Sequence, residues 1–163
     1  KGKEVWMTEH LVLETDWLSV LATGKEIHDC MVEEMNAYVW WYIVRYYGPI
    51  DENGVVTKRG TVMSHFARFV RPGYQRVEVT ENPQPAVHLS AYREGAEVVI
   101  VAINMGTTAV EQPISLSENA VPAIIPYVTT ASKNCVMGNA ISIGGSQFTV
   151  QLEPSSITTL VCK

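Results

Sequence analysis

The sequence predicts a short α/β segment followed by an antiparallel β-sandwich, with the change falling near residue 72. Three observations lead there. Residues 1–72 alternate strand-like and helix-like apolar patterns; the helical period vanishes after Tyr74; and short β-rich runs separated by turn residues fill 73–163.

The first run, KEVWMTEH, suits a strand interior until it ends on Glu9-His10, a carboxylate and an imidazole. Helical spacing follows in TDWLSVLATGKEIHDCMVEEM, where Trp17, Leu21, Ile27, Met31 and Met35 share a face and Asp16 suits the N-cap. Gly24 in its middle costs about 1 kcal/mol of helix propensity relative to Ala. AYVWWYIV is continuously apolar and reads as a strand buried on both faces. After turns at Gly48-Pro49 and Asn53-Gly54, a second helix is predicted from Lys58 to Val70. Thr57 caps it, its stripe is Met63, Phe66, Ala67 and Val70, and Pro72-Gly73 stops it.

Two strands are too few for a parallel sheet, because the crossover helix covers one face and both edges stay bare. Further sequence, on the amino-terminal side, is therefore expected to complete a sheet or barrel. Beyond Tyr74, runs such as AVHLSAY, EVVIVAIN and SSITTLVCK alternate with turns at Asn82-Pro83, Glu94-Gly95 and Gly144-Gly145, the pattern of a sandwich.

Of 163 residues, 47% are hydrophobic and the formal charge is −5, which excludes a disordered chain and argues against a nucleic-acid footprint. The basic residues Lys58-Arg59 and Arg68 to Arg76 read as a solvated helix face. No apolar stretch reaches membrane-span length. Cys30, Cys135 and Cys162 are odd in number and widely spaced, so neither a disulfide framework nor a zinc site is expected, and only a Cys135–Cys162 pair stays open. His28, His65 and His88 lack the spacing of a metal set.

Strands of α/β proteins present their carboxyl ends to ligands. Two chemistry-bearing features fall there: Glu9-His10, and the WYIVRYY run of Trp41 to Tyr47. Aromatic faces stack on sugar rings and a carboxylate can attack an anomeric carbon, so the pair points to a carbohydrate site. By spacing alone, Glu9 stays open between a solvated strand end and a catalyst, and Arg45 between a surface ion pair and a ligand.

The series WMTEH, EIHDCMV, AYVWWYIVRYYGP, TKRG and HFARFVRPGY closely resembles the bacterial xylanase branch of glycoside hydrolase family 30. VTENPQPAVHLSAY, VVIVAIN and SSITTLV resemble the side domain of those enzymes. The resemblance covers nearly the whole chain. It implies the last two βα units of a (β/α)8 TIM barrel over 1–72, then a β-sandwich side domain over 73–163. It further implies a secreted retaining endo-β-1,4-xylanase that needs no cofactor or metal.

By that resemblance Glu9 is the nucleophile, and Trp41, Arg45 and Tyr47 bind substrate, the latter two at a glucuronate branch. The acid/base carboxyl belongs to a strand outside these residues, so the implied partners are xylan or glucuronoxylan oligosaccharides and a companion chain carrying the rest of the barrel. The pattern departs from the family at Leu11, where Tyr is usual, at Glu14, near a small hydroxyl position, and at Val44, beside Arg45. Those departures put the branch requirement in doubt and leave the xylan backbone specificity standing. A non-catalytic glycan-binding module and a family 30 hydrolase for another β-glycoside are the alternatives.

Overall fold

The computed structural model describes residues 2–117 and 122–162. The chain begins with β1 (Trp6–His10), α1 (Trp17–Val32), β2 (Ala37–Trp40) and α2 (Lys58–Ala67). Nine strands follow: β3 (Gln75–Val77), β4 (Val87–Glu94), β5 (Glu97–Asn104), β6 (Val110–Ser115), β7 (Ala123–Thr129), β8 (Val136–Met137), β9 (Ile141–Ser142), β10 (Gln147–Leu152) and β11 (Ser156–Cys162). β1 and β2 pair in parallel across α1. The others form antiparallel sheets, one in the order β3-β4-β5-β11-β7-β8 with β9 also on β7, the other a β6–β10 pair.

Both helices start where their capping residues dictate. The Asp16 carboxylate accepts from the Ser19 backbone N–H at 3.1 Å, and the Thr57 hydroxyl accepts from that of Gly60 at 3.2 Å. α2 ends three residues before the predicted stop. Gly24 is more than a weak helix former: a Cβ there would sit 2.8 Å from Val62 Cγ1, so α1 and α2 approach each other through it.

The large sheet is the middle of three layers, and the period-2 alternation of its strands divides the core in two. From β5, Val99, Val101 and Ile103 join Ile157 against Val20, Leu21, Ile27, Val62 and Phe66 of the helices. Ile100 and Ala102 turn the other way, with Leu89, Leu160 and Cys162, onto Phe148, Val150 and Leu152 of β10. The helices and the sandwich therefore share one apolar layer. Polar ties reinforce it: Lys58 Nζ donates to the carbonyls of Thr130 and Lys133 at 3.0 Å and to Asn134 Oδ1. Trp17 Nε1 donates to the Ser155 carbonyl at 2.8 Å.

The expected solvated face of Lys58-Arg59 is thus overturned, since Lys58 reaches the sandwich and Arg59 is buried. The three cysteines are free. No helix among the described residues is long and apolar enough to cross a membrane.

Two buried histidines make stability depend on pH. His65 lies between α2 and the sheet, its Nδ1 and Nε2 each 2.7 Å from a hydroxyl, those of Thr159 and Thr129. Burial pushes its pKa down to about 3. His28, packed 5.9 Å from the ring of His88, is pushed down to about 4, again chiefly by burial. Once unfolded, both titrate near the ordinary value of about 6.5.

Between pH 6.5 and about 4 the unfolded chain therefore binds protons that the native one refuses, and stability falls as pH falls. Each histidine contributes at most about 1.4 kcal/mol per pH unit in that window. The urea midpoint is expected to drop between pH 7 and pH 4.5, and the His28→Gln/His65→Gln double variant to drop less. An equal drop in both would contradict the assignment.

Candidate active site

The end of β1 is shaped by a register slip. Met7 pairs with Tyr38 and His10 with Trp40, so β1 spends three residue steps where β2 spends two. The extra residue is a β-bulge at Thr8-Glu9, a device that re-aims side chains at the ends of strands. It breaks the alternation: Thr8 and Glu9 are both exposed, while His10 turns toward α1.

His10 Nε2 lies 2.8 Å from Glu26 Oε2, a close polar contact off the line of a well-aligned hydrogen bond. Its ring packs 5.6 Å from Trp40, edge to face, and 6.2 Å from Tyr38. Burial and the neighbouring Glu26 carboxylate both raise the pKa of Tyr38, which stays protonated. His10 is therefore committed to packing beneath the strand end. Among the described residues, no hydrogen bond or ion pair engages the Glu9 carboxylate.

The strand predicted over AYVWWYIV is only half a strand. Its ladder to β1 ends where the Trp41 N–H donates to the His10 carbonyl at 2.9 Å. Beyond a cis Trp41–Tyr42 peptide bond the chain bonds to itself, with Ile50 N donating to the Ile43 carbonyl at 3.1 Å and Arg45 N to that of Ile50 at 3.0 Å. Ile43 is consequently 63% exposed instead of buried. An unbroken apolar run reports which residues avoid charge; it does not report where the ladder stops.

This loop carries the predicted substrate residues. Trp41, 40% exposed, stands at the strand end adjoining that of Glu9, its ring 4.3 Å from that of Tyr42. The Arg45 guanidinium lies 4.6 Å over the same Tyr42 ring and is exposed. Among the described residues its side chain makes one hydrogen bond, a long one of 3.4 Å to the Val44 carbonyl. Tyr47 is only 8% exposed and packs edge-on to Tyr46 at 5.0 Å. Thus Glu9 and Trp41 are brought to one edge, Arg45 extends it, and Tyr47 mainly supports the loop. Leu11 and Glu14 are exposed in the segment that follows Glu9.

Arg59 connects these pieces. It is 2% exposed, with its guanidinium 4.5 Å over the Trp40 ring. Nε donates to the Tyr47 carbonyl at 2.9 Å, Nη1 to the Thr23 hydroxyl, and Nη2 to the carbonyls of Glu14 and, at 3.3 Å, Val12. A signal for it existed in the sequence. Arg59 stands at i, i+3, i+7 with Val62 and Phe66, on the buried stripe of α2.

Among the described residues no three His, Cys, Asp or Glu side chains gather to hold a metal ion. A wide groove of about 1060 Å³ lies elsewhere, on the sandwich, lined by residues such as Glu78, Gln84, Leu89, Gln112 and Pro113 and by no aromatic ring.

No family model matches the chain. It is 42% identical over 169 residues to glucuronoxylanase XynC of Bacillus subtilis, an alignment that takes in 99% of this chain and 40% of that protein. In fold it matches a family 30 endoxylanase of Clostridium papyrosolvens C71 with a TM-score of 0.94 at 41% identity, over 99% of this chain and 42% of that one. A family 30 subfamily 8 xylanase, Xyn30A of Clostridium acetobutylicum, matches with the same TM-score at 37% identity, over 99% and 43% of the two chains. The chain thus spans about two-fifths of the length of the relatives it matches. Sequence and fold agree that it is a close homologue of the carboxy-terminal part of the glycoside hydrolase family 30 xylanases.

Proposed function

We propose that this chain supplies the nucleophile of a retaining endo-β-1,4-xylanase that acts on glucuronoxylan. The observation that carries the reading is Glu9, an exposed carboxylate without a partner among the described residues, set on a bulge at the strand end adjoining that of Trp41 in a homologue of xylanases. β1, α1, β2 and α2 would be the last two βα units of a (β/α)8 barrel, whose carboxyl-end rim is where such sites form. The parallel β1–β2 pair, which leaves the apolar Trp6 and Val39 exposed, supports that placement.

In this reaction a Glu9 oxygen attacks the anomeric carbon while a second carboxyl protonates the departing glycosidic oxygen. The resulting glycosyl ester is then hydrolysed by water that the same second carboxylate deprotonates. That second group must stand about 5–5.5 Å from Glu9. Glu26, on α1, faces His10 on the side of the strand pair away from the exposed Glu9, so it does not fit the role. The acid/base carboxyl would come from barrel sequence outside these 163 residues, in the same polypeptide or in a companion chain. A polymeric substrate cannot enter a cell intact, which favours secretion. No metal or cofactor enters this chemistry. The groove on the sandwich lacks the aromatic platform a glycan-binding module would use, and nothing else favours that reading.

Arg45 would hold the glucuronate branch. Its guanidinium is exposed, oriented by Tyr42, and matched to a carboxylate by two parallel hydrogen bonds. A hydrogen bond to a charged group contributes about 1.5–3 kcal/mol, or roughly 10- to 100-fold in rate. The enzyme containing this chain is expected to cleave glucuronoxylan faster than unsubstituted xylan by that factor. Arg45→Ala should remove the difference and leave the slower rate intact. Equal rates on the two substrates in the unmodified enzyme would rule the branch contact out.

A further inference from the structure

We infer that Arg59 is a positioning residue that fixes the nucleophile-bearing segment and the branch-binding loop relative to each other, an inference that rests on the function proposed above. Its acceptors are distributed to that end. The carbonyls of Val12 and Glu14 belong to the segment that leaves Glu9, and the carbonyl of Tyr47 to the loop that carries Trp41 and Arg45. Thr23 anchors the same guanidinium to α1, and the ring of Trp40, the last residue of β2, lies 4.5 Å from its central carbon. One rigid planar group therefore touches both strand-end segments and the two elements behind them.

Burying a cation whose hydrogen-bond partners are all neutral is a costly way to fill space. An apolar residue on the Val62–Phe66 stripe would pack α2 without that cost. What an apolar residue could not do is satisfy three carbonyls on two separate segments at once. The planar fork of Arg has donors in the directions required; the single ammonium of Lys does not. Displacement of a reacting group by about 1 Å costs on the order of 100-fold in rate, so the clamp bears on catalysis although Arg59 does not touch the proposed reacting atoms.

The test compares the whole enzyme with its Arg59→Lys variant at a temperature where both are folded. Expected are an about tenfold loss of kcat on unsubstituted xylan, a larger loss, about 100-fold or more, on glucuronoxylan so that the preference collapses, and faster amide hydrogen exchange in residues 11–16 and 41–47 together. A purely structural role would not move the substrate preference. Ile100→Val, in the far core layer, serves as the control: it should lower stability and leave preference and loop exchange unchanged.

Should Arg59→Lys not fold, Thr23→Val removes one anchor and is expected to give a smaller, three- to tenfold effect with the same signature. Unchanged preference and unchanged loop exchange in the folded variant would overturn the inference. So would an Ile100→Val enzyme of matched stability that shows the same losses. Turnover of xylan by the unmodified enzyme is measured first, and its absence would instead overturn the proposed function.

Discussion

Glu9→Gln is expected to lower xylan turnover by the complete enzyme by roughly four orders of magnitude or more, with substrate binding retained. The amide keeps the size and the hydrogen-bonding reach of the carboxylate and loses the nucleophile, so the covalent step has no attacking atom. Folding of this part of the enzyme should be unaffected, because the exposed Glu9 side chain has no internal partner among the described residues. Binding is read by calorimetry with xylan oligosaccharides and turnover by reducing-sugar release. A variant that retains more than about a tenth of the activity would remove Glu9 from the chemistry.

Gly60→Ala is expected to produce the largest loss of stability available from one methyl group. A Cβ at Gly60 would lie 2.1 Å from the Pro49 carbonyl oxygen and 2.9 Å from its carbon. Those are backbone atoms, with no flexible side chain to move away. That same carbonyl accepts from the Thr57 N–H at 3.0 Å, so displacing it disturbs the cap of α2 and the loop above it together. Overpacking of this kind costs about 3 kcal/mol or more. Gly144→Ala, where a Cβ meets nothing within 4 Å, should stay within about 0.5 kcal/mol and controls for adding a methyl group without a clash. Urea midpoints measure both. A Gly60→Ala protein as stable as Gly144→Ala would mean that the contact between α2 and the Gly48-Pro49 turn is not as close as described.

What the sequence conveyed and what it withheld follow from the physics of each feature. The caps at Asp16 and Thr57 were legible because one side-chain oxygen satisfies one orphan amide, a local event. The runs of the large sheet were legible because β-branched residues and turn residues alternate at regular spacing. The bulge at Thr8-Glu9 was not, since one extra residue alters pairing without altering composition. Nor was the early end of β2, because Ile43 and Val44 are as apolar in an exposed loop as in a strand.

The reading of Arg59 failed for a different reason. A charged residue is solvated unless several partners from distant segments converge on it, and those partners become visible only in the fold. The layer shared by the helices and β5 is non-local in the same sense: Val99, Val101 and Ile103 read as sandwich core whichever element they face.

At the site, Glu9 and Trp41 could be picked out because strand ends and aromatic residues carry chemical meaning by themselves. The burial of Tyr47 depends on how the loop closes over Gly48, which its sequence does not specify.

The proposed role of Glu9 is tested most directly by trapping the covalent intermediate. A 2-deoxy-2-fluoro xylobioside with a good leaving group forms the glycosyl ester in a retaining enzyme and slows its hydrolysis. The label is located by peptide mass spectrometry of the inactivated enzyme. One fluoroxylobiosyl group on the peptide containing WMTEH, at Glu9, is the expected result, and its absence from the Glu9→Gln variant completes it. A label on any other carboxylate, or turnover that inverts the anomeric centre with no label at all, would contradict the assignment of Glu9 as the nucleophile.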